Sequence, residues 1–386
     1  MAAAPAALLL DELVEEVLLR IPPGDPARLL AAALVCKSWC RVLAAAGFRR
    51  RFFERHRRPP LLGFLGSISS ADYSCASPVR LCASRFVPTS SFRPPRGDHS
   101  GWYALHSGHG RVLFFKVPWG YDPRKNRLLV WDPITDERRE LPPLSWSPYP
   151  FSASWNAVVL CAATPCGGCN HLDCHRGPFL VVFVGTVRNR ILACVYSSEA
   201  AAWSEPTFML EPDRIHTYKT QALVGNALYL QYYGANKILK FDLTTREISP
   251  ISLPPRGSDW HIMLMAMEDG RLGFATVHES RLHLWSREVG PNGDARWAQS
   301  RVIELAAVLP DCVSSLSPLT SPHLTGGVGL IFMRTIAGNF TIDLTSGQIK
   351  KDGDHGSKDF VPFMSFCIPE LRAAHTGGYG ADDSSA

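Results

Sequence analysis

The feature that most constrains this chain is an apolar pattern of helical period in residues 9–53. Leu9, Leu13, Val17 and Ile21 recur every four residues, and acidic residues fill the other face of the same segment. This spacing is typical of an amphipathic helix, and acidic side chains near its start suit the helix dipole. The first part of the chain is therefore predicted to begin with a helix that has one apolar face.

Two more short helices are predicted after the double proline that ends the first one. Asp25 followed by Pro26 is typical of an N-cap with Pro at the first helical position. The third helix carries Trp39 and is expected to end near Gly47. A unit of about 45 residues buries little core alone. Its apolar faces therefore indicate either a separate helical partner or a subdomain packed onto the rest of the chain.

The same segment resembles an F-box, the motif that docks the Skp1 adaptor of cullin–RING ubiquitin ligases. The resemblance rests on L-x-D-E-L-V-E-E-V-L-L-R-I-P-P from Leu9 to Pro23, on L-V-C-K-S-W from Leu34 to Trp39, and on Phe48. The family usually has Pro after the first Leu, where this chain has Leu10.

The resemblance implies a set of positions at or just beneath the Skp1 contact. Some of these side chains must belong to the internal core of the motif, and the sequence does not separate the two groups. The positions are Leu9, Leu13, Val17, Ile21, Pro22, Leu34, Val35, Cys36 and Trp39.

A dense basic cluster, RRRFFERHRR, spans Arg49 to Arg58. It could be a nuclear-import or nucleic-acid contact. We favour the reading in which it is the solvated face of the last helix of the unit, with Phe52 and Phe53 turned inward.

Composition limits the class of protein and the cellular compartment that can be expected. Hydrophobic residues make up 46% and charged residues 19% of the 386 positions, which are values of a globular chain, and the net charge is +5. Such a mild charge gives no reason to expect nucleic-acid binding. The eleven scattered cysteines do not resemble a disulfide framework. Without a signal peptide, transit peptide or apolar run of membrane length, a cytoplasmic or nuclear protein is expected, with no membrane partner.

Beyond residue 60 the pattern is that of an all-β domain. Five loose repeats, 45–65 residues apart, contain paired strands, and three of them place an Asp at the start of a polar turn: Asp132, Asp242 and Asp343. This spacing is close to that of a four-stranded propeller blade. About six blades are predicted, with five or seven as alternatives and a β-sandwich as the competing fold.

The fold class is therefore a small three-helix F-box followed by an all-β propeller, an α+β multidomain chain. The predicted domains are an F-box at 1–58, a linker with first β elements at 59–107, a propeller at 108–370 and a disordered tail at 371–386. Residues 100–370 resemble the kelch-like, F-box-associated propellers of plant F-box proteins, although the double glycine of kelch repeats is absent.

A cysteine-rich segment, CGGCNHLDCH, suggests a possible metal site. Cys166, Cys169, His171 and Cys174 offer thiolate and imidazole ligands suited to zinc. Because all four lie within a span shorter than that of most structural zinc sites, a cysteine-rich loop without metal is favoured. No cofactor is expected.

No catalytic motif is present: there is no G-x-S-x-G, H-E-x-x-H, P-loop or G-x-G-x-x-G. The resemblance implies a non-catalytic adaptor whose F-box binds Skp1, and through it cullin and RING subunits, while the propeller binds a protein substrate. The alternatives are a propeller enzyme or ligand-binding protein with a helical appendage, and a Skp1-bound scaffold without a ligase role.

Overall fold

The structure is a computed structural model. It describes residues 4–70, 81–116, 127–144, 154–164, 169, 171, 174–187, 189–216, 221–234, 236–254, 262–278, 280–290, 294–305, 323–327, 329–335, 338–352 and 359–368. The chain divides into two compact units. The first is Met1–Pro60 with Ser90–Phe92 and Phe366–Ala386, and the second is Leu61–Thr89 with Arg93–Ser365.

The first unit is helical and has four helices rather than the three expected. They are α1 (Ala4–Leu18), α2 (Pro26–Ala33), α3 (Lys37–Ala44) and α4 (Ala46–His56). The additional break falls at Ala45, whose extended backbone (φ −68°, ψ 133°) separates α3 from α4. Alanine carries no helix-stop signal, because it is the best helix former, so periodicity alone could not reveal this break.

The core of the helical unit lies between α1, α2, α3 and α4. Its buried side chains include Leu18, Leu29, Leu43, Phe48 and Phe52. The predicted inward position of the phenylalanines of α4 is confirmed. The arginines of this helix pair instead with glutamates on α1 and on α4 itself, as expected for a solvated helix face.

The second unit is a six-bladed β-propeller, which confirms the predicted fold class and blade number. Each sheet has four antiparallel strands, and the third has a fifth. The strands of blade 1 are β1 (Leu61–Ser70), β2 (Leu81–Pro88), β3 (Asp98–Ser100) and the last described strand, β25 (Asp359–Met364). Those of blade 2 are β4 (Trp102–Gly108), β5 (Arg111–Lys116), β6 (Leu128–Trp131) and β7 (Arg138–Glu140). Those of blade 3 are β8 (Trp155–Cys161), β9 (Phe179–Val187), β10 (Arg190–Ser197), β11 (Ala202–Trp203) and β12 (Thr207–Leu210).

The other three blades follow in chain order. Blade 4 has β13 (Ala222–Val224), β14 (Ala227–Gln231), β15 (Lys237–Asp242) and β16 (Ile248–Ser252). Blade 5 has β17 (Ile262–Ala266), β18 (Leu272–His278), β19 (Arg281–Val289) and β20 (Ala295–Glu304). Blade 6 has β21 (His323–Gly327), β22 (Leu330–Thr335), β23 (Gly338–Asp343) and β24 (Ile349–Asp352). The helices of the described residues include none with the length and apolar character that a membrane span needs.

The ring closes because the two ends of the propeller share blade 1. Strand β25 pairs with β1 from Ser67↔Asp359 to Leu61↔Met364. It then lies beside the first strands of blades 2 and 6. The propeller therefore includes β1, β2, β3 and most of β4 within the range 59–107, which the sequence assigns to a linker and first β elements. The range predicted as a disordered tail, 371–386, lies outside the described residues.

Neighbouring blades are held together by apolar side chains that interleave between sheets. One such cluster joins Leu113 and Val130 of blade 2 to Trp155, Val159 and other side chains of blade 3. Equivalent clusters lie between blades 3 and 4, 4 and 5, and 5 and 6. Burial between sheets, rather than one central core, therefore stabilises the ring.

The three predicted Asp turns are the same structure in three blades. In each, the Asp carboxylate accepts the backbone N–H groups of the second and third residues after it, at 2.8–3.3 Å, as an Asx turn does. The fourth residue after the Asp has a positive φ in every case: Asp136, Arg246 and Gly347. The repeat in the sequence therefore corresponds to an Asx turn that recurs in three blades.

Candidate functional site

Exposed apolar side chains are concentrated on the helical unit. Ten large hydrophobic side chains are exposed in the described part of the chain, and five of them lie between residues 13 and 35. These are Leu13, Val17, Leu30, Leu34 and Val35, which we call the helical apolar surface. Clusters of this kind, unlike isolated exposed apolar residues, mark interaction sites.

The structure sorts the nine positions implied at the adaptor contact. Of the eight whose side chains are described, none is buried in the core. Six are exposed: Leu13, Val17, Pro22, Leu34, Val35 and Cys36. Ile21 and Trp39 are half-buried, while Leu9 lies in α1 with a side chain outside the described residues. The core is made by their neighbours, Leu18 and Leu29 among them.

Polar contacts hold α1 so that Leu13 and Val17 face outward. In the middle of α1, Asp11 Oδ1 accepts a hydrogen bond from Ser38 Oγ at 2.6 Å. Glu15 and Glu16 pair with arginines of α4. Ser38 follows Val35 by three residues, and Asp11 precedes Leu13 by two. The Asp11–Ser38 hydrogen bond therefore brings the exposed residues of α1 close to those that follow α2.

The end of α1 is fixed by His56 of α4. Its Nε2 lies 3.0 Å from the carbonyl oxygen of Leu19, so Nε2 carries the proton and donates. Burial lowers the pKa of His56, and its contact with this carbonyl acts against that change. The helical apolar surface thus lies on helices that are connected by side-chain contacts.

A second candidate site lies in blade 3 of the propeller. Cys161, Cys169, His171 and Cys174 place one ligand atom each within 4.8 Å of all the others. Cys161 is the last residue of β8, and Cys174 begins the short 3-10 turn that leads into β9. We call these four residues the Cys₃His cluster.

The cluster differs from the set that the sequence suggested. Cys169, His171 and Cys174 are in both sets, and Cys161 joins them, while Cys166 lies outside the described residues. The sequence signal for Cys161 was weak, since it lies eight residues before Cys169. Only the pairing of β8 with β9, which sets Cys161 opposite Phe179, brings it beside Cys174.

Two residues of blade 2 support the cluster. His109 and Gly110 form the two-residue turn between β4 and β5, and both have positive φ, as a hairpin turn of this length requires. His109 Nδ1 lies 3.5 Å from Cys174 Sγ, and its ring lies 4.7 Å from that of His171. A Cβ atom at Gly110 would lie 2.6 Å from His175 Cβ, so glycine is needed there.

Burial shifts the pKa values of Cys174 and of its neighbour His109. It raises the pKa of the Cys174 thiol, and the neighbouring cysteines raise it further. It lowers the pKa of His109 to about 3, with a smaller contribution from His171 in the same direction. Burial therefore favours the neutral forms of the Cys174 thiol and the His109 imidazole.

Together these features define a class: a six-bladed propeller preceded by a helical unit with an exposed apolar surface. The family described as "F-box protein AT5G49610-like, beta-propeller" matches residues 108–324, more than half of the chain. The chain belongs to this family of F-box-associated propellers. No curated protein matches it.

Solved structures match parts of this chain at low identity, with TM-scores below 0.5. The extracellular domain of BT4673 from B. thetaiotaomicron has a TM-score of 0.35 and 15% identity over 66% of this chain, which spans only 27% of that one. A chain of the nidogen/laminin complex has a TM-score of 0.42 and 9% identity, over 79% of this chain and 99% of that one. A functionally unknown protein from Desulfotomaculum acetoxidans has a TM-score of 0.41 and 10% identity, over 78% and 89%. These likenesses say nothing about what this chain binds.

Proposed function

We propose that this protein is the substrate-recognition subunit of a Skp1–cullin–F-box ubiquitin ligase. The helical unit binds a Skp1-like adaptor, which connects it to cullin and RING subunits, and the propeller binds the protein to be ubiquitinated. The observation that carries the proposal is the helical apolar surface. It shares Leu13, Val17, Leu34 and Val35 with the positions that the F-box resemblance implies at the Skp1 contact.

The helical apolar surface leaves large apolar side chains exposed to water. Leu13, Val17, Leu30, Leu34 and Val35 are exposed, and burying one such side chain is worth about 1.5–3 kcal/mol. An apolar helical partner covering this surface would recover that free energy. A helix-rich adaptor with an apolar face is therefore the kind of partner that the surface fits.

The role requires no catalytic group in this chain. An adaptor raises the effective concentration of a substrate near the enzyme that modifies it, and ubiquitin transfer is then carried out by the other subunits. A cytoplasmic or nuclear location goes with this role.

The test is binding of the full-length chain to a purified Skp1-like adaptor. Val17→Asp places a charge on the helical apolar surface and is expected to weaken binding at least about tenfold, because the charge would have to be desolvated. Val289→Asp is the matched control, since Val289 is exposed to a similar degree on the propeller (71% against 59%). Equal binding by the two variants would overturn the proposal.

A second measurement separates the ligase subunit from a scaffold that binds Skp1 alone. Reconstitution with adaptor, cullin and RING subunits is expected to give ubiquitination of a protein captured by the propeller. Adaptor binding without any such transfer would favour the scaffold. Catalytic turnover that survives removal of residues 1–58 would instead favour a propeller enzyme.

A further inference from the structure

We propose that the Cys₃His cluster is a structural zinc site. Its four residues are drawn from one segment, with the spacing C-x₇-C-x-H-x₂-C from Cys161 to Cys174. This inference is independent of adaptor binding, because it concerns the propeller unit alone.

The donor set is that of a structural zinc site. Three thiolates and one imidazole make one of the common four-ligand combinations for structural zinc, with bonds of about 2.3 Å to sulfur and 2.0–2.1 Å to nitrogen. In a tetrahedron of these bonds, the ligand atoms lie about 3.5–3.8 Å apart. The atoms here lie within 4.8 Å of one another, and Cys174 Sγ is 3.9 Å from His171 Nδ1. A shift of about 1 Å at most would close the site around the ion.

Four protein ligands leave no open position, so the ion would hold structure rather than catalyse a reaction. The connection from Cys161 to Phe179 spans 17 residues between two adjacent antiparallel strands, whereas such loops usually have two to five. Zinc would tie the start of this connection, at Cys161, to its end, at Cys174. It would thereby shorten the free part of a long loop.

The surroundings supply the support that metal ligands usually need. His109 Nδ1, 3.5 Å from Cys174 Sγ, is placed to donate a hydrogen bond to a thiolate there. The N–H of His171 donates to Cys169 Sγ at 3.3 Å. Hydrogen bonds of this kind orient the ligands and offset the negative charge of a three-thiolate site.

The first experiment measures metal content in the full-length protein, purified from cells grown with added zinc and without chelators. Wild type is expected to contain about one zinc ion per chain. Cys161→Ala and His171→Ala are expected to lower that content roughly tenfold or more, as loss of a ligand does. Cys166→Ala and Cys194→Ala are the matched controls, the second because Cys194 is a buried thiol outside the cluster, and both should keep their zinc.

Three results would overturn the proposal. Zinc far below one ion per chain in wild type would overturn the proposal. So would a Cys166→Ala variant that loses zinc while Cys161→Ala retains it, since the ligands would then be those that the sequence alone suggested. Disulfides among Cys161, Cys169 and Cys174 in protein purified from a reducing cytosol would overturn it as well.

A second measurement covers the case in which the cysteine variants fail to fold. Wild-type protein exchanged with Co²⁺ is expected to show the visible d–d bands of a tetrahedral site and the charge-transfer bands of thiolate ligation. Absence of both bands, or an octahedral spectrum, would contradict a site of this composition. The variant His171→Ala is the safer of the two ligand tests, because His171 is only half-buried.

Discussion

The guanidinium of Arg111, at the start of β5, donates a hydrogen bond of 3.0 Å to the main-chain carbonyl oxygen of Cys174. It also donates to the carbonyls of His175 and Gly177. A buried side chain of blade 2 therefore fixes the turn that leads into β9 of blade 3. Burial lowers the pKa of Arg111, although the nearby carboxylate of Asp132 acts in the opposite direction.

Replacement of Arg111 by Lys should therefore destabilise the propeller, because a lysine cannot reach several carbonyls with one planar group. We expect the free energy of unfolding to fall by about 2–3 kcal/mol, the cost of charged hydrogen bonds lost in a buried place. Urea denaturation measures this. Arg127→Lys is the control, since Arg127 forms an exposed ion pair with Glu140 at 2.8 Å and should change stability by less than about 0.5 kcal/mol.

Substitutions of two leucines of the helical unit should have different effects on stability and on adaptor binding. Leu43 is 3% exposed in the core and Leu34 is 77% exposed on the helical apolar surface. Leu43→Ala should destabilise the unit by about 2–5 kcal/mol. Leu34→Ala should change stability by less than about 0.5 kcal/mol and yet weaken adaptor binding. Thermal unfolding and a binding titration give the two quantities, and a Leu34 variant that unfolds as readily as the Leu43 variant would contradict this assignment.

The Asp turn of blade 4 should depend on a carboxylate or amide oxygen at residue 242. Asp242 Oδ1 accepts from the N–H groups of Thr244 and Thr245 at 2.9 and 3.0 Å, and the Thr245 bond is the main reason that its pKa is lowered. Asp242→Ala should cost about 1–2 kcal/mol, while Asp242→Asn keeps an acceptor and should cost less. Because the folded pKa lies below the unfolded value near 3.8, the stabilisation by charge is present above pH 4 and is lost only in stronger acid.

His99 should make the propeller sensitive to mild acid. Its ring lies 4.5 Å from that of Phe114 and 4.3 Å from that of Trp131, and its nitrogens have no hydrogen-bond partner among the described residues. Burial, followed by the charge of Arg138, lowers its pKa to about 4. Between pH 6.5 and 4 the unfolded chain therefore binds a proton that the folded chain excludes.

Stability should consequently fall as the pH is lowered through this window, with a contribution from His99 of up to about 1.4 kcal/mol per pH unit. His106, whose pKa is also lowered to about 4 by burial, adds a second contribution of the same sign. His99→Phe should reduce the slope of unfolding free energy against pH by about one proton. Urea midpoints at several pH values measure it, and an unchanged slope would show that the ring is not shielded in solution.

Strand β25 should be essential to the closed ring. It supplies the innermost strand of blade 1 and pairs along most of β1. A chain that ends before Asp359 leaves one edge of β1 unpaired, so we expect aggregation and a loss of cooperative unfolding. A chain that ends after Ile368 keeps β25 and should retain the melting temperature of the full-length protein. Equal behaviour of the two truncations would contradict closure by the chain end.

Several features were predicted because their signals are local. The apolar period that begins at Leu9 predicts α1, which ends at Leu18, four residues before the double proline. The Asp residues at 132, 242 and 343 predict three equivalent turns, since an Asx turn is formed by neighbours in sequence. The five repeats to which these turns belong, with a further blade from the residues before 108, then predict about six blades.

Other features depend on contacts between residues far apart in sequence, which periodicity does not encode. The structure alone decides that Leu18 is core while Val17 is exposed, because the two are neighbours on one helix and only packing against the other helices distinguishes them. It alone places Cys161 beside Cys174, through the register of β8 and β9, and it alone pairs β25 with β1. Local sequence patterns thus predict the helices, strands and turns. Tertiary packing selects which of their residues come into contact, because strand register and helix orientation are set by burial over the whole fold.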